Sequence, residues 1–212
     1  MPRHSVTFSP YRLHFHRPMP RPIAFDRRKA LNSATDLIWK RGYEASSVSD
    51  LETAMGLSKS SLYNSFGSKR EVLTEALEHY AASQAAMLRS LLAEKGVRAG
   101  VRALLNGIVT DNNDGRGCLL VNCAAELSPR DRRIAGEVRC GFTELANVLK
   151  AAIVQAQRNG GFPSEIDAGV LTQSLLALIA GLRIQAKAGI KRQTLQAVAE
   201  HSLEALLPAA TE

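Results

Sequence analysis

The residues best suited to contact a partner lie in one short segment, residues 47–69, which reads SVSDLETAMGLSKSSLYNSFGSK. An asparagine amide can pair with the edge of adenine and a lysine can bind guanine or phosphate, whereas serine hydroxyls discriminate weakly between bases. The segment has the chemistry needed to bind duplex DNA. Its candidate DNA-contacting side chains, once the apolar positions are set aside, are Lys59, Ser60, Ser61, Tyr63 and Asn64.

Two short helices joined by a tight turn are predicted to carry these side chains. Apolar residues recur at helical spacing on both sides of Gly56, which supplies the turn, and Ser58 is placed to cap a second helix over residues 59–65. Seven residues span about 10 Å of helix, which suits a major groove about 12 Å wide. An ordinary helical hairpin with a solvated polar face has the same pattern, so the spacing alone leaves both interpretations open.

Neighbouring helices must hold this pair in place, because helices shorter than about 12 residues are marginal alone in water. The flanking segments 26–41 and 69–80 have apolar faces for this role, so we expect a compact bundle with the second short helix on its surface. The remaining chain keeps a period of about 3.6 residues, and no alternating strand pattern competes. The expected fold is all-α with about nine helices, the later ones over residues 69–94, 97–112, 117–127, 129–158, 164–187 and 191–206.

Four sequence signals mark where helices are expected to begin. Each combines a serine, whose hydroxyl can accept a free backbone N–H, with an acid three residues later. They predict helix starts near residues 48, 69, 129 and 165. The pairs are Ser47 with Asp50, Ser68 with Glu71, Ser128 with Asp131, and Ser164 with Asp167.

The composition excludes several classes of protein. The chain has 212 residues, enough for one or two domains, and its 45% hydrophobic content supports a packed core. We find no run of about 18 apolar residues that would indicate a membrane span. The three cysteines are too few for a disulfide framework, which favours a cytoplasmic protein. The net charge is +7, but four arginines lie in residues 1–24, which we expect to be a disordered basic leader or an arm entering the minor groove of DNA.

A longer set of motifs surrounds the two short helices. They are Arg41-Gly42-Tyr43, Ser46-Ser47-Val48, Gly56-Leu57-Ser58-Lys59, Leu62-Tyr63 and Phe66-Gly67-Ser68-Lys69. Their joint spacing resembles the TetR-type (tetracycline-repressor-like) transcriptional regulators. The resemblance implies a helix-turn-helix DNA-binding domain over residues 25–72, with the second short helix as recognition helix, and a helical regulatory and dimerisation domain over 73–212. It also implies that Ser47, Tyr63 and Lys69 contact the phosphate backbone.

The function implied by the resemblance is ligand-responsive transcription regulation, with repression as the expected form. A single recognition helix offers about 1–3 kcal/mol per good base contact, whereas specific binding needs about 4–10 kcal/mol over non-specific binding. We therefore expect a homodimer on a palindromic operator in double-stranded DNA, with release by an unidentified small-molecule effector. The dimer is expected to form through the helices at 164–187 and 191–206, and no membrane is involved.

The candidate effector-binding residues are Cys118, Asn122 and Glu126, which share one face of a helix because they are spaced four apart. In the alternative interpretation, Asn122 and Glu126 bridge neighbouring helices and the cysteines fill the core. Cys118 follows Arg116 near a helix start, which makes it a candidate for redox or electrophile sensing. Cys118 and Cys123 lie about 140° apart around a helix, so they are poorly placed to share a disulfide or a metal.

An enzyme is disfavoured because the sequence has no Gly-x-Ser-x-Gly, phosphate loop, His-Glu-x-x-His or Cys-x-x-Cys motif. We expect no catalytic residue, cofactor or metal. A further alternative to a DNA-binding regulator is a helical ligand-binding protein that acts without DNA.

Overall fold

The structure is a computed structural model that describes residues 25–110, 115–160 and 165–208 of the chain. It confirms the all-α prediction, since the described residues form helices, turns and no strand. The predicted leader, residues 1–24, lies outside the described residues. The part of the chain that the structure describes contains nine helices: α1 (Arg27–Arg41), α2 (Val48–Met55), α3 (Lys59–Phe66), α4 (Lys69–Lys95), α5 (Val97–Thr110), α6 (Leu119–Glu126), α7 (Arg132–Arg158), α8 (Ala168–Lys187) and α9 (Arg192–Leu206).

Three predicted serine caps are confirmed at the starts of α2, α3 and α4. The hydroxyl oxygens of Ser47, Ser58 and Ser68 each accept the backbone N–H of the residue three positions later. At α2 the contact is reciprocal, because the Asp50 carboxylate accepts the backbone N–H of Ser47. Because these hydrogen bonds join residues only three positions apart, they determine where the helices begin without help from tertiary packing.

The predicted starts of α7 and α8 are wrong by a few residues. Ser128 does not cap a helix at 129; α7 begins at Arg132, and the Asp131 carboxylate accepts two N–H groups of its first turn. At α8 the cap is Asp167, whereas the predicted cap Ser164 lies outside the described residues. In both cases the acid expected inside the first turn is the cap itself, because an aspartate carboxylate accepts helix N–H groups as well as a serine hydroxyl does.

Two hydrophobic clusters form the interior of the described residues. The first joins α1–α3 and the start of α4 to α6 and the start of α7, with Leu51, Leu62 and Leu73 fully buried. The second joins the later parts of α4 and α7 to α5, α8 and α9. Because α4 and α7 run through both clusters, they connect the region around α3 to the rest of the protein.

The short helix α6 lies in a close contact with α7. A Cβ added to Gly141 of α7 would lie 2.7 Å from Leu120 Cδ2 on α6 and 3.2 Å from the Ala81 side chain on α4. Only glycine at this position lets the three helices approach so closely. The C-terminal end of α6 reaches the turn between α1 and α2, so within the first cluster this helix connects α7 to the region around α3.

Candidate DNA interface and effector cavity

Helix α3 is anchored to the bundle by its apolar side. Leu62 and Phe66 are buried, and the Phe66 ring lies 6.4 Å from the ring of Phe25. The Arg27 guanidinium lies 4.5 Å from the centroid of the Phe66 ring and donates a 2.7 Å hydrogen bond to Glu75 of α4. Contacts with α1 and α4 therefore hold the C-terminal end of α3, so the helix is held by its neighbours, as its length requires.

The opposite side of α3 faces solvent and carries the predicted DNA-contacting side chains. Lys59, Ser60, Tyr63 and Asn64 are exposed, and Ser61 is half-buried. Hydroxyl contacts link Ser58 to Ser61 at 2.9 Å and to Ser60 at 3.1 Å, which orders the polar start of the helix. The structure thus brings all five predicted residues onto one short surface helix.

Ser47 lies at the exposed start of α2 and already has an internal partner. Its hydroxyl donates a 2.6 Å hydrogen bond to the Asp50 carboxylate, which also accepts from Arg41 at 3.1 Å. The hydrogen bonds from the Ser47 hydroxyl and backbone, more than the Arg41 charge, lower the pKa of Asp50 below its usual value. A phosphate contact by the Ser47 hydroxyl must therefore compete with Asp50.

Lys69 lies half-buried in the first turn of α4, where the helix dipole disfavours a cation. Its ammonium lies 4.1 Å from the centroid of the Tyr43 ring, and such a cation–π contact offsets part of that cost. Burial of Tyr43 raises the pKa of its phenol. The sequence pattern identified Lys69 but gave no sign of the Tyr43 partner, which lies 26 positions earlier in the sequence.

Glu126, a predicted effector-binding residue, contacts the α1–α2 turn. Its carboxylate accepts the backbone N–H of Glu44 at 2.8 Å and that of Tyr43 at 3.4 Å. These N–H groups lie just past the end of α1 and need an acceptor. The carboxylate therefore ties the end of α6 to the region around α3.

Asn122 also bridges elements. Its amide donates to the backbone carbonyl of Arg116 at 2.9 Å, and its amide oxygen accepts from Lys187 of α8 at 3.2 Å. These contacts hold the loop before α6 against α8. For Asn122 and Glu126, the bridging alternative that the sequence left open describes the contacts in this structure.

The third predicted effector-binding residue, Cys118, lines a small, partly open cavity of about 50 Å³ bounded by α4, α5, α6, α7 and α8. The Tyr80 hydroxyl donates to the Cys118 sulfur at 3.6 Å, and burial raises the pKa of Tyr80 well above its usual value. Besides Tyr80 and Cys118, the cavity is lined chiefly by Met87, Phe142 and Leu176, together with Arg183 of α8.

Two residues beside this cavity were not identified from the sequence. Trp39 of α1 packs edge-on against Tyr80 with ring centroids 5.0 Å apart, and the Arg116 guanidinium lies 4.6 Å from the Trp39 ring. Arg183 lines the cavity from α8. Trp39 is the only tryptophan in the chain, and it falls outside the apolar stripe of its helix. These two features of the sequence could have identified it as a candidate functional residue.

Helices α8 and α9 expose large apolar side chains. On α8, Val170 is 65% exposed and Ile184 is 53% exposed; on α9, Val198 is 37% exposed. An 18-residue window of α8 has mean hydropathy 1.3 and is 33% buried, so by length and composition alone this helix could cross a membrane, which for a single helix is weak evidence of a span. Exposed apolar side chains on a helix whose other side is packed in a core mark a candidate contact surface.

Comparison with protein families assigns both parts of the chain. A model described as bacterial regulatory proteins, tetR family, matches residues 30–76, and a model described as tetracyclin repressor-like, C-terminal domain, matches residues 93–202. The HTH-type transcriptional repressor ComR of Escherichia coli (strain K12) is 31% identical over 190 residues, covering 86% of this chain and 90% of ComR. The HTH-type transcriptional repressor DhaR of Mycobacterium sp. (strain GP1) is 28% identical over 184 residues, covering 86% and 92%.

Solved structures of similar fold include one on DNA. A cysteine mutant of the TetR family transcriptional regulator CifR, complexed with 26-bp double-strand operator DNA, is 33% identical with a TM-score of 0.77, covering 87% of this chain and 98% of that one. Reduced E. coli NemR has the same TM-score at 23% identity, covering 88% and 99%, and shows the shared fold.

Proposed function

This chain belongs to the TetR family of bacterial transcription regulators, as its sequence motifs predict, and from that premise we propose that it is a repressor that binds operator DNA through α3. The observation that carries the proposal is the two-sided character of this helix. Its buried side is anchored to α1 and α4, and its outward side presents polar and cationic groups. The similarity to CifR, which was solved in complex with operator DNA, supports operator binding by this chain.

Within the DNA-binding domain, which we assign to residues 25–72, the side chains divide into two roles. Asn64 and Lys59 read base edges in the major groove, with weaker contributions from Ser60 and Ser61. Ser47, Tyr63 and Lys69 bind phosphates and fix the register without reading sequence. Tyr63 suits this role because 40% of it is exposed while it remains on a helix that is anchored from behind.

The operator-binding form is a homodimer built on α8 and α9 in the regulatory domain, residues 73–212. Val170, Gln173, Ala177 and Ile184 are exposed and recur at helical spacing, so they form one continuous stripe on α8. A second copy covers this stripe and Val198 of α9 with apolar surface of its own. Two recognition helices then supply the base contacts that one helix cannot. A repressor that acts on DNA in this way is expected in the cytoplasm.

Release from DNA is controlled by a small molecule that binds at the cavity lined by Cys118. The cavity lies between the two hydrophobic clusters, so a ligand that expands it changes how α6 and α4 position the DNA-binding domain. The ligand must favour the non-binding arrangement by a coupling free energy of about 1–3 kcal/mol. The Glu126 contact with the α1–α2 turn provides a direct link for this coupling.

The test is a gel-shift and footprinting experiment on the DNA that flanks the protein's own gene. We expect a palindromic footprint of two half-sites about one helical turn apart and an affinity that falls steeply with salt. Absence of specific DNA binding at low salt would contradict the proposal and favour a ligand-binding protein that acts without DNA.

Thiol sensing through Cys118 is a second candidate, because its sulfur, although buried, lies on the cavity wall. Cys123 does not line the cavity, and burial raises the pKa of its thiol to about 12, which disfavours the reactive thiolate. Under this candidate, an alkylating reagent such as N-ethylmaleimide releases the wild-type protein from the operator, and the Cys118→Ser variant resists release. The exposed Cys140 gives the matched control, Cys140→Ser, which should respond like the wild type.

A further inference from the structure

Arg183 places a positive charge on the wall of an otherwise apolar cavity. It is half-buried on α8, and its Nη1 lies 3.5 Å from the Gly117 carbonyl oxygen, at the limit of a hydrogen bond. Across residues 25–110, 115–160 and 165–208, no aspartate or glutamate forms an ion pair with it. A partly desolvated guanidinium without a carboxylate partner favours an anion that can reach it.

The other cavity residues define what such an anion must carry. No carboxylate lines the cavity within the described residues, and the Tyr80 hydroxyl and Cys118 sulfur are already hydrogen-bonded to each other. Gln84 supplies one amide, and the rest of the wall is aliphatic or aromatic. The complementary ligand has one negative charge and an apolar body.

We propose that this cavity binds a small carboxylic acid as its anion, with the carboxylate on Arg183 and the apolar body among Phe142, Leu176 and Ile179. Resting on the proposed function, the same carboxylate is the effector that releases the operator. The guanidinium can bind a carboxylate through two parallel N–H donors, which gives both charge and orientation.

The size of the space limits the apolar body. The cavity volume of about 50 Å³ is far below the roughly 300–1,000 Å³ of drug-sized ligand pockets. An open groove beside it shares Gln84, Met87, Leu104 and Arg183 with the cavity. Met87 is 46% exposed and unbranched, so its side chain can move to join the two spaces. A body of about six carbons is the size that we test.

The groove also contains a tryptophan that can report ligand binding by its fluorescence. Trp39, the only tryptophan, lines the groove together with Arg183. Glu94 lines the same groove but is paired with Lys95 at 2.8 Å. A ligand on Arg183 therefore changes the surroundings of a single fluorophore, and binding can be followed by intrinsic tryptophan fluorescence.

The experiment compares three probes with the same six-carbon chain and different head groups: hexanoate, 1-hexanol and hexylamine at pH 7.5. Titrations are followed by Trp39 fluorescence and checked by thermal shift. We expect hexanoate to bind at least ten-fold more tightly than 1-hexanol, and hexylamine to bind most weakly. Equal affinities for hexanoate and 1-hexanol would overturn the proposal.

Variants assign the effect to Arg183. Arg183→Gln should weaken hexanoate binding at least ten-fold and leave 1-hexanol unchanged, whereas Arg183→Lys retains part of the preference. Arg89→Gln, which removes an exposed arginine elsewhere on α4, is the matched control and should bind like the wild type. Ala180→Leu fills the cavity and should weaken all three probes. Unchanged hexanoate binding in Arg183→Gln would also overturn the proposal.

Operator binding measured by fluorescence anisotropy separates this proposal from the proposed function. Operator binding without any hexanoate binding would overturn the ligand site and leave the repressor. Hexanoate binding by a protein that binds no DNA would overturn the repressor and leave the ligand site. Hexanoate binding that leaves operator affinity unchanged would overturn its role as effector.

Discussion

The surface of α3 and the surface of α8 differ in the polarity of the side chains that they expose. On α3 the apolar side chains Leu62 and Phe66 are buried, and polar groups face solvent. On α8 apolar side chains lie on both sides, and Val170 and Ile184 remain exposed. A surface that binds phosphates and base edges must stay polar because its contacts are hydrogen bonds and charges, whereas a surface that binds its own copy gains from apolar burial. The difference is the one expected if α3 binds DNA and α8 binds a second copy, as we propose.

The interior is also divided between two regions. In the first hydrophobic cluster, fully buried leucines pack among the short helices around α3, whereas the second cluster packs among longer helices. The cavity lies where the two meet, since its wall takes Tyr80 and Cys118 from the first cluster and Leu88 from the second. We therefore expect the proposed ligand to change how the two regions are positioned relative to each other and to leave each core intact.

The largest expected effect comes from a charge on the exposed stripe of α8. Ile184→Glu buries a carboxylate in the proposed dimer interface, which costs several kcal/mol per subunit and yields a monomer. Operator affinity should fall about 100-fold or more because half of the base contacts are lost. Light scattering after size exclusion gives the mass, and anisotropy gives the affinity.

A matched substitution tests whether that effect belongs to the α8 stripe. Ser83→Glu places the same charge on an exposed position of α4 and should leave both the dimer and operator binding unchanged. If Ile184→Glu remains a dimer at micromolar concentration, the contrast between α3 and α8 has another explanation.

The region around α3 could be predicted in detail because its determinants are local. Ser47, Ser58 and Gly56 act on residues within four positions of themselves, so caps and turn can be read directly from sequence. The same local reasoning misplaced the start of α7, where Ser128 and Asp131 are both competent caps and the observed cap is Asp131, which also pairs with Arg70 of α4 at 3.1 Å.

The cavity could not be predicted because its determinants are distant in sequence. Arg183 and Cys118 are 65 positions apart, and only tertiary packing, in which α7 contacts both α6 and α8, brings them to one wall. Helical periodicity identified the inward face of α6 but not which neighbour each residue meets. Glu126 was therefore assigned to effector binding, although its carboxylate contacts the backbone of the α1–α2 turn.

The next effect concerns sequence reading by α3. Asn64→Ala removes an exposed amide without touching the buried side of the helix, so dimer and fold should remain intact. Loss of one bidentate base contact should reduce discrimination against the wrong base by about 1–3 kcal/mol, roughly ten-fold at one position of each half-site. Binding selections on randomised operators measure this, and unchanged preference would remove Asn64 from the set of reading residues.

A smaller and different effect is expected at Lys69. Lys69→Ala should weaken binding to all sequences alike and reduce the slope of log affinity against log salt by about one unit. Tyr43→Leu is the matched control, because it removes the ring beneath the ammonium and keeps the cation. If both variants change affinity equally and neither changes the slope, Lys69 acts through packing on Tyr43 and not through phosphate.

The smallest effect tests the link between the two regions. Glu126→Ala removes the acceptor of two backbone N–H groups at the α1–α2 turn, one of them on the exposed residue Glu44, where water can replace it. The expected cost in unfolding free energy is therefore about 1 kcal/mol. Amide exchange of Tyr43 and Glu44 should become faster, because their protons lose a fixed partner.

Glu126→Gln keeps a hydrogen-bond acceptor at this position but removes its negative charge. The amide oxygen can still accept the 2.8 Å bond from Glu44, so exchange at Glu44 should stay close to wild type while Tyr43 loses its partner.

Because α6 starts at the cavity and ends at this turn, loss of the contact in Glu126→Ala should also reduce the effect of any cavity ligand on operator affinity. Wild-type amide exchange in Glu126→Ala would mean that the two regions communicate through α4 and α7 alone.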